Sequence, residues 1–249
     1  MRKGILITVL AVVAFVAIVI ARLPASWVIP SSPGAFSCGA VDGSIWNGSC
    51  SGLVAQGAPV GDLTWDIHVL PLFTGKLSAN VVLNRPTGSV SGDLAIGFDK
   101  TLSLSNVQAA LPLDQDLMSS VAPGMRATQG SLQANIDQAR ISKNNIVTDL
   151  KGTIEIHDLV THDPEATAWG SYRVSFPGGT SPPAGDVKDL GGGPLGVEGH
   201  VVVLQDKPGV NLDLFLTTHP NTPQALLDNL QFLAPDAQGR RELQTEFGF

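Results

Sequence analysis

Leu63-Thr64-Trp65-Asp66-Ile67-His68-Val69 is the stretch that decides the fold. Apolar side chains at 63, 65, 67 and 69 alternate with polar ones at 64, 66 and 68. A period of two puts the two sets on opposite faces of an extended chain, as in a half-buried antiparallel strand. The pattern recurs at Leu77, Ala79, Val81 and Leu83, at Val90, Leu94, Ile96 and Phe98, and at Leu102 and Leu104. Leu70-Pro71, Asn84-Arg85-Pro86-Thr87-Gly88 and Asp99-Lys100 supply turns between these runs. Neighbouring strands joined by short turns make a meander.

Residues 111–125 change the rhythm. Leu113, Leu117 and Met118 have helical spacing, and Pro123-Gly124 ends the segment, which predicts a short helix. Strands resume at Leu132, Ala134 and Ile136, at Leu150, Ile154 and Ile156, and at Tyr172, Val174 and Phe176. From Phe176 to Pro194 the chain is rich in Gly and Pro and reads as a mobile loop. Leu195, Val197, Val201 and Val203 form a further strand, as do Val210, Leu212, Leu214 and Leu216. Thr222-Pro223 predicts a capped second helix over 224–233, with Leu226, Leu227, Leu230 and Leu233 as its apolar stripe and Pro235 beyond it. Leu243, Thr245, Phe247 and Phe249 alternate as a last edge strand. The fold class is all-β: one or two curved antiparallel meander sheets with two short helices.

Upstream, Met1-Arg2-Lys3 precedes an apolar run from Gly4 to Ala21, closed by Arg22. A helix of this length rises about 27 Å, close to the roughly 30 Å hydrocarbon core of a bilayer. A cleaved signal peptide is the alternative, with Val19-Ile20-Ala21 as its cleavage site. Its apolar region is shorter as a rule, and Arg22 is an awkward residue to follow cleavage. Either way, Arg2 and Lys3 mark the cytoplasmic end, and no Lys or Arg follows Arg22 until Lys76. The expected organisation is a cytoplasmic tip and transmembrane anchor at 1–22, an extended juxtamembrane linker at 23–37, and an exported β-rich domain at 38–249. Halves at 38–125 and 126–249 would fit a loose duplication. Trp27 suits the membrane interface.

Of the 15 basic residues, Arg2, Lys3 and Arg22 belong to the anchor, leaving 12 against 22 acidic ones in the body. That balance excludes nucleic acid as a partner class. It also disfavours docking on anionic headgroups. The two cysteines, Cys38 and Cys50, lie just beyond the linker in an exported body, where a disulfide is the expected state.

Chemistry-bearing motifs are sparse. No Gly-x-Ser-x-Gly elbow or His-Glu-x-x-His motif occurs. Gly191-Gly192-Gly193-Pro194-Leu195-Gly196 lacks the Lys-Ser/Thr of a phosphate loop. His157-Asp158 with His162-Asp163 is the best metal candidate, yet its placement at a strand end and turn reads as solvated polar residues. His68, His200 and His219 are scattered. Asp114 and Asp116 suit the start of the expected helix. Asn47-Gly48-Ser49 matches a glycosylation acceptor but reads as a tight turn. No catalytic, cofactor or metal site is expected.

The succession Gly43-Ser44-Ile45-Trp46-Asn47-Gly48-Ser49, then Leu63-Thr64-Trp65, then Leu70-Pro71-Leu72-Phe73-Thr74-Gly75-Lys76-Leu77 resembles protein N of the bacterial type II secretion system. The likeness extends through the Leu-rich segment at 224–233 and the Gly239-Arg240 turn. It singles out Gly43, Trp46, Gly48, Trp65, Pro71 and Gly75 as motif residues. The cysteine pair around Trp46 departs from the family pattern. The resemblance implies a non-enzymatic accessory subunit, single-pass in the inner membrane with its body in the periplasm. Its partners would be other secretion subunits of the inner membrane or periplasm. Core packing is the structural expectation for Trp46 and Trp65. The chain resembles the AsmA-like envelope proteins more weakly, and a β-groove that binds or transfers lipid is the alternative function. A hydrolase is a third reading, and would need a His-Asp-His cluster to converge.

Overall fold

The computed structural model describes residues 10–12, 15, 18–27, 36–55, 57–113, 128–162, 166–220 and 222–248. The chain forms two compact units, Met1–Pro86 and Thr87–Phe249.

The N-terminal unit contains β1 (Phe36–Ser37), β2 (Ala40–Gly43), β3 (Asn47–Ala55), β4 (Ala58–His68) and β5 (Lys76–Arg85). β1 and β2 both lie along β3, which pairs with β4, and β4 with β5, all antiparallel. Along β4 the alternation is realised as far as His68: Leu63, Trp65 and Ile67 are half-buried, while Thr64, Asp66 and His68 are exposed. Val69, expected on the apolar face, instead lies beyond the strand and is exposed, because it starts the next turn. The register sets Leu63, Trp65 and Ile67 opposite Leu83, Val81 and Ala79, so the two apolar series share a face. Cys38 and Cys50 form a disulfide with Cα atoms 5.6 Å apart, and Cys50 is fully buried. β3 itself was not legible, because Gly48, Ser49, Ser51 and Gly52 interrupt any alternation. A bulge between Cys50 and Leu53 is built on Gly52, whose φ of 63° suits glycine. The Gly52 N–H, displaced from the ladder, donates to Asp62 Oδ1 at 2.8 Å.

The C-terminal unit is a meander of β6 (Gly88–Gly97), β7 (Leu102–Pro112), β8 (Thr128–Ile141), β9 (Val147–His162), β10 (Ala166–Pro177), β11 (Ala184–Gly191), β12 (Leu195–Val203), β13 (Gly209–Thr218) and β14 (Arg241–Gly248), with α1 (Gln224–Leu230) between the last two strands. Each strand pairs antiparallel with the next. Phe176, Val187, Val201 and Val203 form one buried cluster, backed by Ile154, Val174, Val210 and Leu212. Leu195, Leu216 and Leu230 form a second, with Trp169, Leu233 and Leu243 against it. α1 thus covers the sheet through the Leu stripe.

Several expectations are corrected. The stretch 176–194 is not a loop throughout, because Ala184–Gly191 is β11, paired on both sides. Pro183, Gly185 and Val187 are buried while Asp186 and Lys188 are exposed, so the alternation was present but carried by Pro and Gly. Gly185 is required by contact: a Cβ there would meet the Phe176 ring at 2.8 Å. Phe98 is not in a strand; β6 ends at Gly97 and Phe98 sits in the turn, 86% exposed. The helix expected over 111–125 begins instead as strand, since β7 runs to Pro112. The rest of that segment, with Asp114, Asp116 and the 125/126 boundary, lies outside the described residues. The second helix is shorter than 224–233, and Pro223, not Thr222, occupies its N-cap. The Thr222 hydroxyl accepts from the His219 N–H at 2.8 Å and donates to the Pro194 carbonyl at 2.5 Å. It therefore fastens the approach to α1 onto the start of β12. The last strand is present as β14, and Phe249 lies outside the described residues.

At the N-terminus, residues 10–12, 15 and 18–21 are helical, and much of the 1–22 segment lies outside the described residues. Among the described residues no helix is long and apolar enough to cross a membrane. The linker 23–37 is not simply extended. Ala25–Trp27 forms a 3-10 turn, Ala25 is 1% exposed, and Pro24 bridges to Ser44. Residues 28–35 lie outside the described residues.

Candidate functional site at the N-terminal joint

The motif around Trp46 is where the N-terminal segment meets the sheet. The turn joining β2 to β3 is closed by the Ser44 N–H donating to the Asn47 carbonyl at 2.8 Å, and by the Asn47 N–H donating to Ser44 Oγ at 3.1 Å. The tight turn thus spans 44–47, and Asn47-Gly48-Ser49 opens β3 rather than forming the turn. Gly43 has φ of 86°, and a Cβ there would meet the Asn47 carbonyl at 2.5 Å. Only glycine fits both constraints.

Gly48 answers a different need. A Cβ on it would meet the Trp65 ring at 2.5 Å, so the indole packs close against the backbone of its cross-strand neighbour. The Trp65 Nε1–H donates to the Ile45 carbonyl at 3.1 Å. Trp46 reaches the other way. Its Nε1–H donates to the Ile20 carbonyl at 2.9 Å, across 26 residues. Ile20 is in the last turn of the N-terminal helix, and its carbonyl also accepts from the Leu23 N–H at 3.3 Å, so the indole bond is its second. The Ile45 N–H donates to the Leu23 carbonyl at 3.0 Å, and the Ile67 N–H to the Trp46 carbonyl at 2.5 Å. Both tryptophans are half-buried, so core packing is only part of their role. Their N–H groups form a chain of bonds from helix end to turn to β4.

Pro71 and Gly75 lie in the 3-10 turn Leu70–Thr74 and at its end. Gly75 takes φ of 78° and its N–H donates to the Leu72 carbonyl at 3.1 Å. Thr74 Oγ1 donates to the Pro71 carbonyl at 2.8 Å. A cleft of about 410 Å³ opens beside the joint, lined by Asp42, Asn47, Thr64, Asp66 and Asn80 around Trp65.

The other candidates do not converge. His157 bonds Glu155 Oε2 at 2.9 Å, and Arg173 bonds the other oxygen at 2.7 Å. The Arg173 bond is the main force holding the Glu155 carboxyl below its usual range. Asp158 has φ of 52° in a bulge, and its N–H donates to Ser171 Oγ at 3.1 Å. The side chain of His162 and all of Asp163 lie outside the described residues. Among the described residues no group of three His, Cys, Asp or Glu is placed to hold a metal ion. His200 pairs with Asp186 at 2.9 Å in the C-terminal unit, whereas His68 ends β4 in the N-terminal one. The Gly191-Gly192-Gly193 run allows a close backbone approach: a Cβ on Gly193 would meet the Trp169 carbonyl at 2.0 Å. Sequence reading missed Arg241, whose guanidinium donates to the carbonyls of Leu230 (2.6 Å) and Leu233 beyond the end of α1. A cation just after a helix was the available signal.

An antiparallel meander hydrogen-bonded to the end of an N-terminal helix is the architecture that these residues define. The profile described as Type II secretion system (T2SS), protein N matches residues 35–244, and the chain belongs to that family. It is similar to the Type II secretion system protein N of Vibrio cholerae serotype O1, with 30% identity over 114 residues. That match spans 41% of this chain and 42% of the relative. No solved structure matches the chain.

Proposed function

We propose that the protein is a non-enzymatic accessory component of the type II secretion machinery that supports export of folded proteins across the outer membrane. Residues 1–22 hold it in the bacterial inner membrane as a single span, and the body works in the periplasm. The family match over residues 35–244 carries this reading. Two structural features support it. Leu10, Val12, Phe15 and Ile18 are 56–67% exposed, which suits a helix solvated by lipid. Four of the motif residues, Gly43, Trp46, Gly48 and Trp65, build the joint between that helix and the sheet.

Partners are other subunits of the machine in the inner membrane or periplasm. β14 ends the strand order, bonded to β13 and to no second strand among the described residues. Such an edge can accept a strand from another chain. The test is gentle purification from membranes, with mass spectrometry of co-purifying proteins and bound lipid. Secretion subunits without stoichiometric lipid support the scaffold role. Phospholipid retained by the body, with no secretion subunit present, would overturn it.

A further inference from the structure

The turn Leu70-Pro71-Leu72-Phe73-Thr74 exposes apolar surface that the scaffold role leaves unexplained. Phe73 is 89% exposed, Leu70 76%, Val69 47% and Leu72 38%. No charged residue occurs from Val69 to Gly75, and Lys76 follows, exposed. The turn is held in shape by Pro71 near its start, the Thr74 bond to the Pro71 carbonyl and the left-handed Gly75. It therefore presents its side chains outward as a fixed knob and does not fold them under β4.

Its position in the unit gives the knob a destination. β3 and β4 are antiparallel with Asn47 opposite Asp66, so Trp46 and the end of β4 lie at one end of the sheet. The Ile67 N–H bonds the Trp46 carbonyl there, and the Trp46 indole bonds Ile20 at the end of the N-terminal helix. The turn begins two residues beyond His68, where β4 stops. Trp27, 77% exposed, follows the same helix end; of the exposed cations, Arg22 follows that helix and Lys76 follows the turn. Aromatic and aliphatic side chains flanked by cations suit the headgroup–acyl boundary.

We infer that the Leu70–Thr74 turn is a second membrane contact, inserting Leu70, Leu72 and Phe73 into the interface of the bilayer that holds the N-terminal helix. This rests on the membrane reading of residues 1–22. Together the helix and the turn fix the tilt of the β4 end of the unit relative to the membrane, which a single helix cannot do. The occupant is the lipid surface itself, and the chemistry is apolar burial with no specific headgroup.

The experiment places one cysteine at a time in the full-length, disulfide-intact protein, in phosphatidylethanolamine–phosphatidylglycerol vesicles. Val12→Cys, Leu70→Cys, Phe73→Cys and Pro59→Cys are each labelled with an environment-sensitive fluorophore. Pro59 lies exposed at the other end of β4, about 30 Å along the strand. Each label is challenged with lipid-borne and with water-borne quenchers. The expected result is quenching by lipid at 12, 70 and 73, and by the aqueous agent at 59. Lipid quenching at 12 with aqueous quenching at 70 and 73 would overturn the proposal and leave the anchor standing. Aqueous quenching at 12 as well would remove the anchor and the proposal together. Protection of 70 and 73 from both quenchers would assign the knob to a protein surface and overturn the lipid contact.

Discussion

The two units are stabilised by different means. In the C-terminal unit, Phe176, Val187, Val201 and Val203 bury one another between β10 and β13, and Leu195, Leu216 and Leu230 do so beneath α1. In the N-terminal unit the fully buried apolar residues among those described are Ala25 and Cys50. Its order comes from one disulfide, two indole N–H bonds and glycines that let backbone and ring approach closely. The contrast teaches that a β-meander can be fixed either by apolar burial or by directional bonds. The directional kind sits where the N-terminal helix arrives.

The largest expected effect breaks the burial side. Phe176→Ala leaves a cavity against Gly185 and Val187 and should cost about 3–5 kcal/mol. Chemical denaturation followed by hydrogen exchange in β10–β13 reads it, and a loss below about 1 kcal/mol would mean that these strands do not depend on that core. Next comes the covalent side. Removing the Cys38–Cys50 bond, which closes a loop of 12 residues, should cost about 3 kcal/mol in the chain-entropy account. Replacing both cysteines by serine should speed exchange in β2 and β3; unchanged protection there would show that hydrogen bonds alone hold them.

Trp46→Phe sharpens the comparison further. A smaller aromatic ring stays, the N–H to Ile20 is lost, and the expected cost of the lost bond is about 1 kcal/mol. Amides of residues 20–23 and 25 should exchange faster while β4 stays protected. Equal protection in both proteins would make the indole bond incidental.

A further effect, confined to alkaline pH, concerns the core-built unit. Tyr172 is the chain's one tyrosine, and burial, then the charge of Asp189, pushes its phenol up to about 12. The fold thus favours the neutral phenol over the phenolate. The resulting stability is present below the unfolded value of roughly 10 and is lost as pH rises from there to about 12. Phenolate absorbance should titrate near 12 in the folded protein and near 10 in denaturant. A folded midpoint near 10 would show that Tyr172 is solvated.

β4 and β5 were legible in the sequence because Leu63, Trp65 and Ile67 face Leu83, Val81 and Ala79 with clean alternation. β11 was hidden, since its inward positions include Gly185, which carries no hydrophobic signal. β3 was hidden by its bulge. Trp46 and Trp65 stood out, but their hydrogen bonds to Ile20 and Ile45 depend on tertiary register, which no local pattern encodes. Thr222 looked like a helix cap because a threonine before proline usually is one, yet Pro194 offered its hydroxyl a partner from another segment.

The most direct test of the account is export itself. The gene for this chain is deleted from a strain that secretes a folded exoprotein by the type II route, and the exoprotein is measured in the medium and the periplasm. The account predicts less exoprotein outside and more in the periplasm, restored by the full chain but not by a body released from residues 1–22. Unchanged export in the deletion strain would contradict it.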